Sequence, residues 1–146
     1  MRDLRPFYDA AAESGTEAIV CGNSDSPFAS TERIEIHPRV SLDELKTYEK
    51  RTETLVFLCN KEGGQIPGKI YQYSAQNKPI LFILDGTERE KEEIKKYFSQ
   101  FDRYVFCENN KEDIGKAIER IKAGGVPRSA IDAFSPSRTV EKLLLR

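Results

Sequence analysis

Lys61-Glu-Gly-Gly-Gln-Ile-Pro-Gly-Lys-Ile-Tyr-Gln-Tyr-Ser-Ala-Gln-Asn-Lys-Pro-Ile80 decides how this chain is read. It lies between two apolar runs, Thr54-Leu-Val-Phe-Leu-Cys59 and Pro79-Ile-Leu-Phe-Ile-Leu84. Each run is short and rich in aliphatic and aromatic residues, the pattern of a parallel strand buried on both faces. Between them the glycines predict a loop and the later residues a helix, here Pro67 to Gln76. The unit is therefore strand–loop–helix–strand, with the loop at the carboxyl end of a strand, where open α/β sheets bind ligands. A helix start at that point offers unpaired backbone N–H groups and partial positive charge. Pro67 suits a first helical turn, Gly68 permits close backbone approach and Lys69 adds a full positive charge. These features together predict an anion site, with phosphate the usual occupant.

Working outward, the same alternation continues. Leu4 to Ser14 places Leu4, Phe7, Tyr8 and Ala11 at helical spacing and stops at Gly15. Glu17-Ala-Ile-Val-Cys21 predicts a strand, Ser24 to Thr31 a polar loop, and Arg33-Ile-Glu-Ile36 a short alternating strand closed by His37-Pro38. Ser41-Leu-Asp-Glu44 and Thr87-Glu-Arg-Glu90 are capping boxes. They open helices to about Arg51 and about Gln100, the second with Ile94, Tyr97 and Phe98 as its apolar stripe. Arg103-Tyr-Val-Phe-Cys107 predicts a strand. Asn110 caps a helix through Lys122 that carries Ile114, Ala117, Ile118 and Ile121, and Gly124-Gly125 ends it. A terminal helix follows Ser135-Pro136, with Val140, Leu143 and Leu144 on one side. Strands alternating with helices predict an α/β fold: one parallel, doubly wound sheet with helices on both faces.

The 146 residues suffice for one domain with a real core. A net charge of −1 gives no nucleic-acid footprint, and no apolar run approaches the ~20 residues that span a bilayer. Met1-Arg-Asp-Leu-Arg5 lacks the apolar stretch of a secretory leader. Cys21, Cys59 and Cys107 are far apart, each at a predicted strand end. They read as buried reduced thiols of a cytoplasmic protein, with no metal-ligand spacing. The only histidine, His37, reads as a turn residue, and Asp85-Gly86 as a turn. The charged runs Glu88 to Lys96 and Asn109 to Asp113 read as solvated helix faces.

Gly64-Gln-Ile-Pro-Gly-Lys-Ile-Tyr-Gln-Tyr73 followed by Asn77-Lys-Pro-Ile80 resembles the donor-binding motif of GT-B glycosyltransferases of the retaining, group-one kind. The order of elements extends the resemblance over most of the chain. It implies a Rossmann-like, GT-B C-terminal domain over residues 1–146, the half that holds a nucleotide diphosphate sugar. In the family a strand precedes the first helix and a separate N-terminal domain binds the acceptor. The resemblance therefore implies a piece of a longer two-domain enzyme with its first strand missing, inactive alone. It also implies a place in surface polysaccharide assembly, in the cytoplasm or peripheral to the inner membrane, and catalysis without a bound metal.

Specific roles follow from the resemblance. Lys69 is the cation that neutralises the diphosphate leaving group, because breaking the sugar–phosphate bond leaves charge on phosphate; the plain alternative is a solvated helix lysine. Gln72 stands where the family has a glutamate that binds ribose hydroxyls. Its amide oxygen still accepts a hydrogen bond but loses charge assistance, about 1 kcal/mol, so weaker donor binding, a degenerate site or an ordinary surface glutamine are all open. The acidic loop residue that faces the transferred sugar is Glu62 by residue type and Gly64 by spacing. Glu62, Gly63, Gly64 and Gln65 would form the wall near the sugar, Ile66 would line the pocket mouth, and the backbone amides of Gly68 and Lys69 would add to the charge of Lys69 at the diphosphate. Rival readings on the same architecture are a nucleotide-sugar epimerase, disfavoured by the single histidine; a receiver-like module, disfavoured because only Asp85 sits at a strand end; and a non-catalytic or degenerate interaction domain.

Overall fold

In a computed structural model of the chain, residues 4–21, 33–37, 41–59 and 69–127 are described, and the side chains of Cys21, Leu42, Lys69, Tyr71 and Gln72 are outside that description. Local sequence explains most element boundaries. Helix α1 (Arg5–Ser14) carries Pro6 in its first turn and ends at Gly15, whose φ of 66° is left-handed. A Cβ there would also sit 2.7 Å from the tip of the Arg33 guanidinium, which would have to move and give up its bond to the Gly15 carbonyl. Strand β1 (Ala18–Cys21) pairs in parallel with β2 (Ile34–His37). Helix α2 (Leu42–Arg51) starts where the Ser41 hydroxyl accepts the Glu44 N–H.

Strand β3 (Leu55–Leu58) leads to α3 (Lys69–Ser74) and then to β4 (Ile80–Leu84). Helix α4 (Glu88–Ser99) opens with a complete capping box: Thr87 accepts from the Glu90 N–H and the Glu90 carboxylate accepts from the Thr87 N–H. Strand β5 (Tyr104–Glu108) and helix α5 (Lys111–Ala123) follow; α5 is capped by Asn110 and ended by Gly124 at φ 85°. The proposed terminal helix lies outside the described residues, as do Pro67 and Gly68 at the expected start of α3.

The fold is α/β with parallel strands, but the strands pair as two sheets, β1-β2 and β3-β4-β5, where the sequence pattern predicted one. Among the described residues β1 and β3 share no pairing. Helices join the two sheets instead. Phe7 and Ala10 of α1 pack in one cluster with Leu58, Leu81, Ile83, Val105 and α5, while Tyr8 and Ala11 of the same helix pack on Ile34 of β2. On the other face of β2, α2 stacks Tyr48 on His37 at 4.7 Å and pairs Arg51 with Glu35.

Helices α3 and α4 cover the opposite face of the three-stranded sheet through Ile70, Tyr73 and Phe98. Phe82 centres that layer, with the rings of Phe57, Phe98, Tyr104 and Phe106 at 5.0 to 5.4 Å. All of β4 is buried, as its unbroken apolar run requires. One stripe position is corrected. Phe98 is fully buried while Tyr97, next to it, is 46% exposed, because a 100° step per residue carries one of two adjacent side chains off the buried face.

Candidate functional site

The predicted site belongs at the carboxyl end of β3, between Cys59 and the first described residue of α3. Glu62, Gly63, Gly64, Gln65, Ile66 and Gly68 lie outside the described residues. The backbone of Lys69 begins α3 and that of Gln72 lies one turn further along.

The described part of α3 is fixed firmly. Ile70 and Ser74 are fully buried and Tyr73 is buried. The Ser74 hydroxyl lies 2.7 Å from the Ile70 carbonyl and 2.5 Å from the Tyr104 hydroxyl, so it ties the helix to β5. The turn after α3 is held from below. Arg103, 2% exposed, donates through Nη2 to the carbonyls of Gln76 and Lys78, both at 2.6 Å. The Lys78 ammonium in turn donates to the Glu49 carbonyl of α2. Pro79, which has no N–H of its own, accepts the Leu55 N–H at its carbonyl. The Asn77-Lys-Pro79 segment thus turns the chain into the central strand.

Burial holds the Arg103 guanidinium below its ordinary value. Among the described residues its Nε and Nη1 find no hydrogen-bond partner, and the two carbonyl contacts offset its desolvation. This clamp was not legible beforehand. An arginine before a strand carries no signal that its fork will reach a turn 25 residues earlier in the chain.

Other candidates at the carboxyl edge resolve into structural roles. Asp85 accepts the Gly86 N–H on Oδ1 and the Asn109 amide on Oδ2, so it closes a turn, as the Asp-Gly pair predicted. His37 is the last residue of β2, one beyond the predicted strand end, and its Nε2 is 3.1 Å from Glu35 Oε2. The His37 contact, followed by Arg51, holds the Glu35 carboxyl below its ordinary value. Cys59 and Cys107 are buried free thiols, and burial pushes Cys107 up to about 12, far from a reactive thiolate. The charged run on α4 is only partly a solvated face: Lys91 is largely covered and bridges Glu88 at 2.7 Å and Glu108 at 3.0 Å, which raises its pKa.

Among the described residues no group of His, Cys, Asp and Glu is arranged to hold a metal ion, and no helix is long and apolar enough to cross a membrane. No protein-family model, curated protein or solved structure matches the chain.

Proposed function

We propose that this chain is the donor-binding half of a retaining glycosyltransferase, which transfers a sugar from a nucleotide diphosphate sugar to an acceptor held by a separate N-terminal domain. The observation that carries the reading is the β3–α3–β4 order: parallel strands β3 and β4 flank a helix described from Lys69 to Ser74, and the residues that precede this helix follow the carboxyl end of β3 in the chain. Ligand sites of parallel sheets form at that edge.

In this reading Lys69 neutralises the departing diphosphate, aided by the backbone amides of Gly68 and Lys69. Gln72 holds the ribose, and Glu62 to Gln65 wall the sugar. The reaction takes place on the cytoplasmic side and draws on no metal. Gln72 supports one alternative, a non-catalytic or degenerate nucleotide-binding domain of the same fold, because the glutamine lacks the charge that strengthens a ribose contact.

The test is an amide-resolved NMR titration with UDP, GDP, ADP and CMP. Shifts centred on Gly63 to Gln72 with one nucleotide are expected, and Lys69→Ala should weaken that binding at least about tenfold, the loss of one charge-assisted phosphate contact, with the spectrum otherwise unchanged. Unchanged affinity in Lys69→Ala removes the lysine from the role. No shifts, both in this chain and in a longer one that supplies the first strand, sink the donor reading.

A further inference from the structure

Strand β5 is the outer strand of the three-stranded sheet. Asn109, just beyond it, donates its N–H to Leu84 of β4. By the two-residue alternation of a parallel ladder, the N–H and C=O of Phe106 therefore point away from β4. Among the described residues nothing accepts or donates to them. Beyond this edge lies an open groove of about 500 Å³, floored by β5 and walled by α4 on one face and α5 on the other. An unpaired strand edge is a template for another strand, and the walls indicate which one.

The α4 wall presents Glu88, Lys91, Glu92 and Lys95, which alternate in sign. If this wall is reversed about its midpoint, Glu88 stands opposite Lys95 and Lys91 opposite Glu92. The α5 wall presents Asp113, Lys116 and Arg120; the same reversal sets Asp113 against Arg120, and Lys116 against Ala117 of the copy. The symmetry operation that makes such a reversal is a two-fold axis normal to the sheet. It runs β5 antiparallel to its copy and lays each helix beside its own copy on the same face. Glu92, Lys95 and Arg120 are exposed and have no ion-pair partner among the described residues. Phe106, at the centre of the strand, is only half-buried.

We propose that the β5 edge is a homodimer interface, in which two copies of this chain pair β5 to β5 antiparallel and their sheets become continuous. The inference does not depend on the donor-domain reading.

Sedimentation equilibrium of the full chain, from about 1 µM to about 1 mM at low salt, is expected to show a species of twice the 16.6 kDa chain mass that weakens as salt rises. Each reversed contact occurs twice per dimer, so Lys95→Glu and Arg120→Glu should each raise the dissociation constant at least about tenfold. Combining Glu88→Lys with Lys95→Glu restores opposite charges and should return most of the affinity. The Phe106 amide should become protected from exchange as concentration rises. All the substituted side chains are exposed, so loss of the fold does not confuse the result. A monomer mass at every concentration overturns the proposal. So does a dimer that ignores both reversals, or one whose Phe106 amide exchanges equally at low and high concentration, since either places the contact elsewhere.

Discussion

Cys107 shows how much a single buried group links stability to pH. Its thiol faces the cluster formed with Ile114 and Ala117 of α5. Burial, with Asp113 and Glu108 adding to it, moves its titration from 9.0 up to about 12. Above pH 9 the unfolded thiol ionises while the folded one keeps its proton. The unfolded state then binds fewer protons, so stability falls as pH rises. Urea unfolding from pH 8 to about 10.5 should show a steeper loss in the wild type than in Cys107→Ala, which removes the thiol; lysines and tyrosines titrate alike in both. Parallel slopes would mean that the thiol ionises as readily folded as unfolded. The position of this cysteine at a strand end was legible from the apolar run before it. The charges that add to its shift come from Glu108, the next residue, and from Asp113 of α5, and no spacing rule foretells the second.

At the scale of elements, the most legible features were those whose physics is local. Thr87 and Glu90 satisfy each other's backbone N–H groups within one turn, so four residues carry the whole instruction. Thr87→Ala should cost about 1 kcal/mol, read as a lower urea midpoint with an unchanged slope. Thr87→Ser should recover most of it, since the serine hydroxyl accepts the same bond. Equal stability in Thr87→Ala would show that packing of Phe98 alone fixes where α4 begins.

Strand ends were less legible because they depend on partners. His37 belongs to β2 because Cys21 pairs opposite it, although His37-Pro38 reads as a stop. Tyr97 was placed in the buried stripe by its chemistry, while the helix rotation turns it outward. Of the candidate site, Asn77 to Pro79 was readable as a turn into β4, but the arginine that holds the turn was not.

For the whole molecule, the division into two sheets is the feature that the hydrophobic pattern could not foretell. Periodicity reports that a strand is buried and says nothing about which strand lies beside it. Strand β4 is covered on both faces and paired on both edges, and each of its residues is at most 5% exposed. Among the described residues strand β1 pairs only with β2, and Ala18, Ile19 and Val20 are half-buried. Opening β1-β2 therefore exposes less apolar surface than opening the three-stranded sheet, and its hydrogen bonds should break at lower free energy. Native-state hydrogen exchange in low urea separates the two: the Val20 amide, bonded across to β2, should exchange by a sub-global opening, while those of Leu81 to Ile83 should exchange only through global unfolding. α1 decides how large the gap is, because Phe7 and Ala10 bind it to one sheet while Tyr8 and Ala11 bind it to the other. Tyr8→Ala should loosen β1-β2 alone and widen the gap. Phe7→Ala, which removes a ring from the larger cluster, should lower both free energies together. A single free energy for all these amides, in the wild type and in both variants, would mean that α1 couples the two sheets into one cooperative unit despite the missing backbone pairing between them.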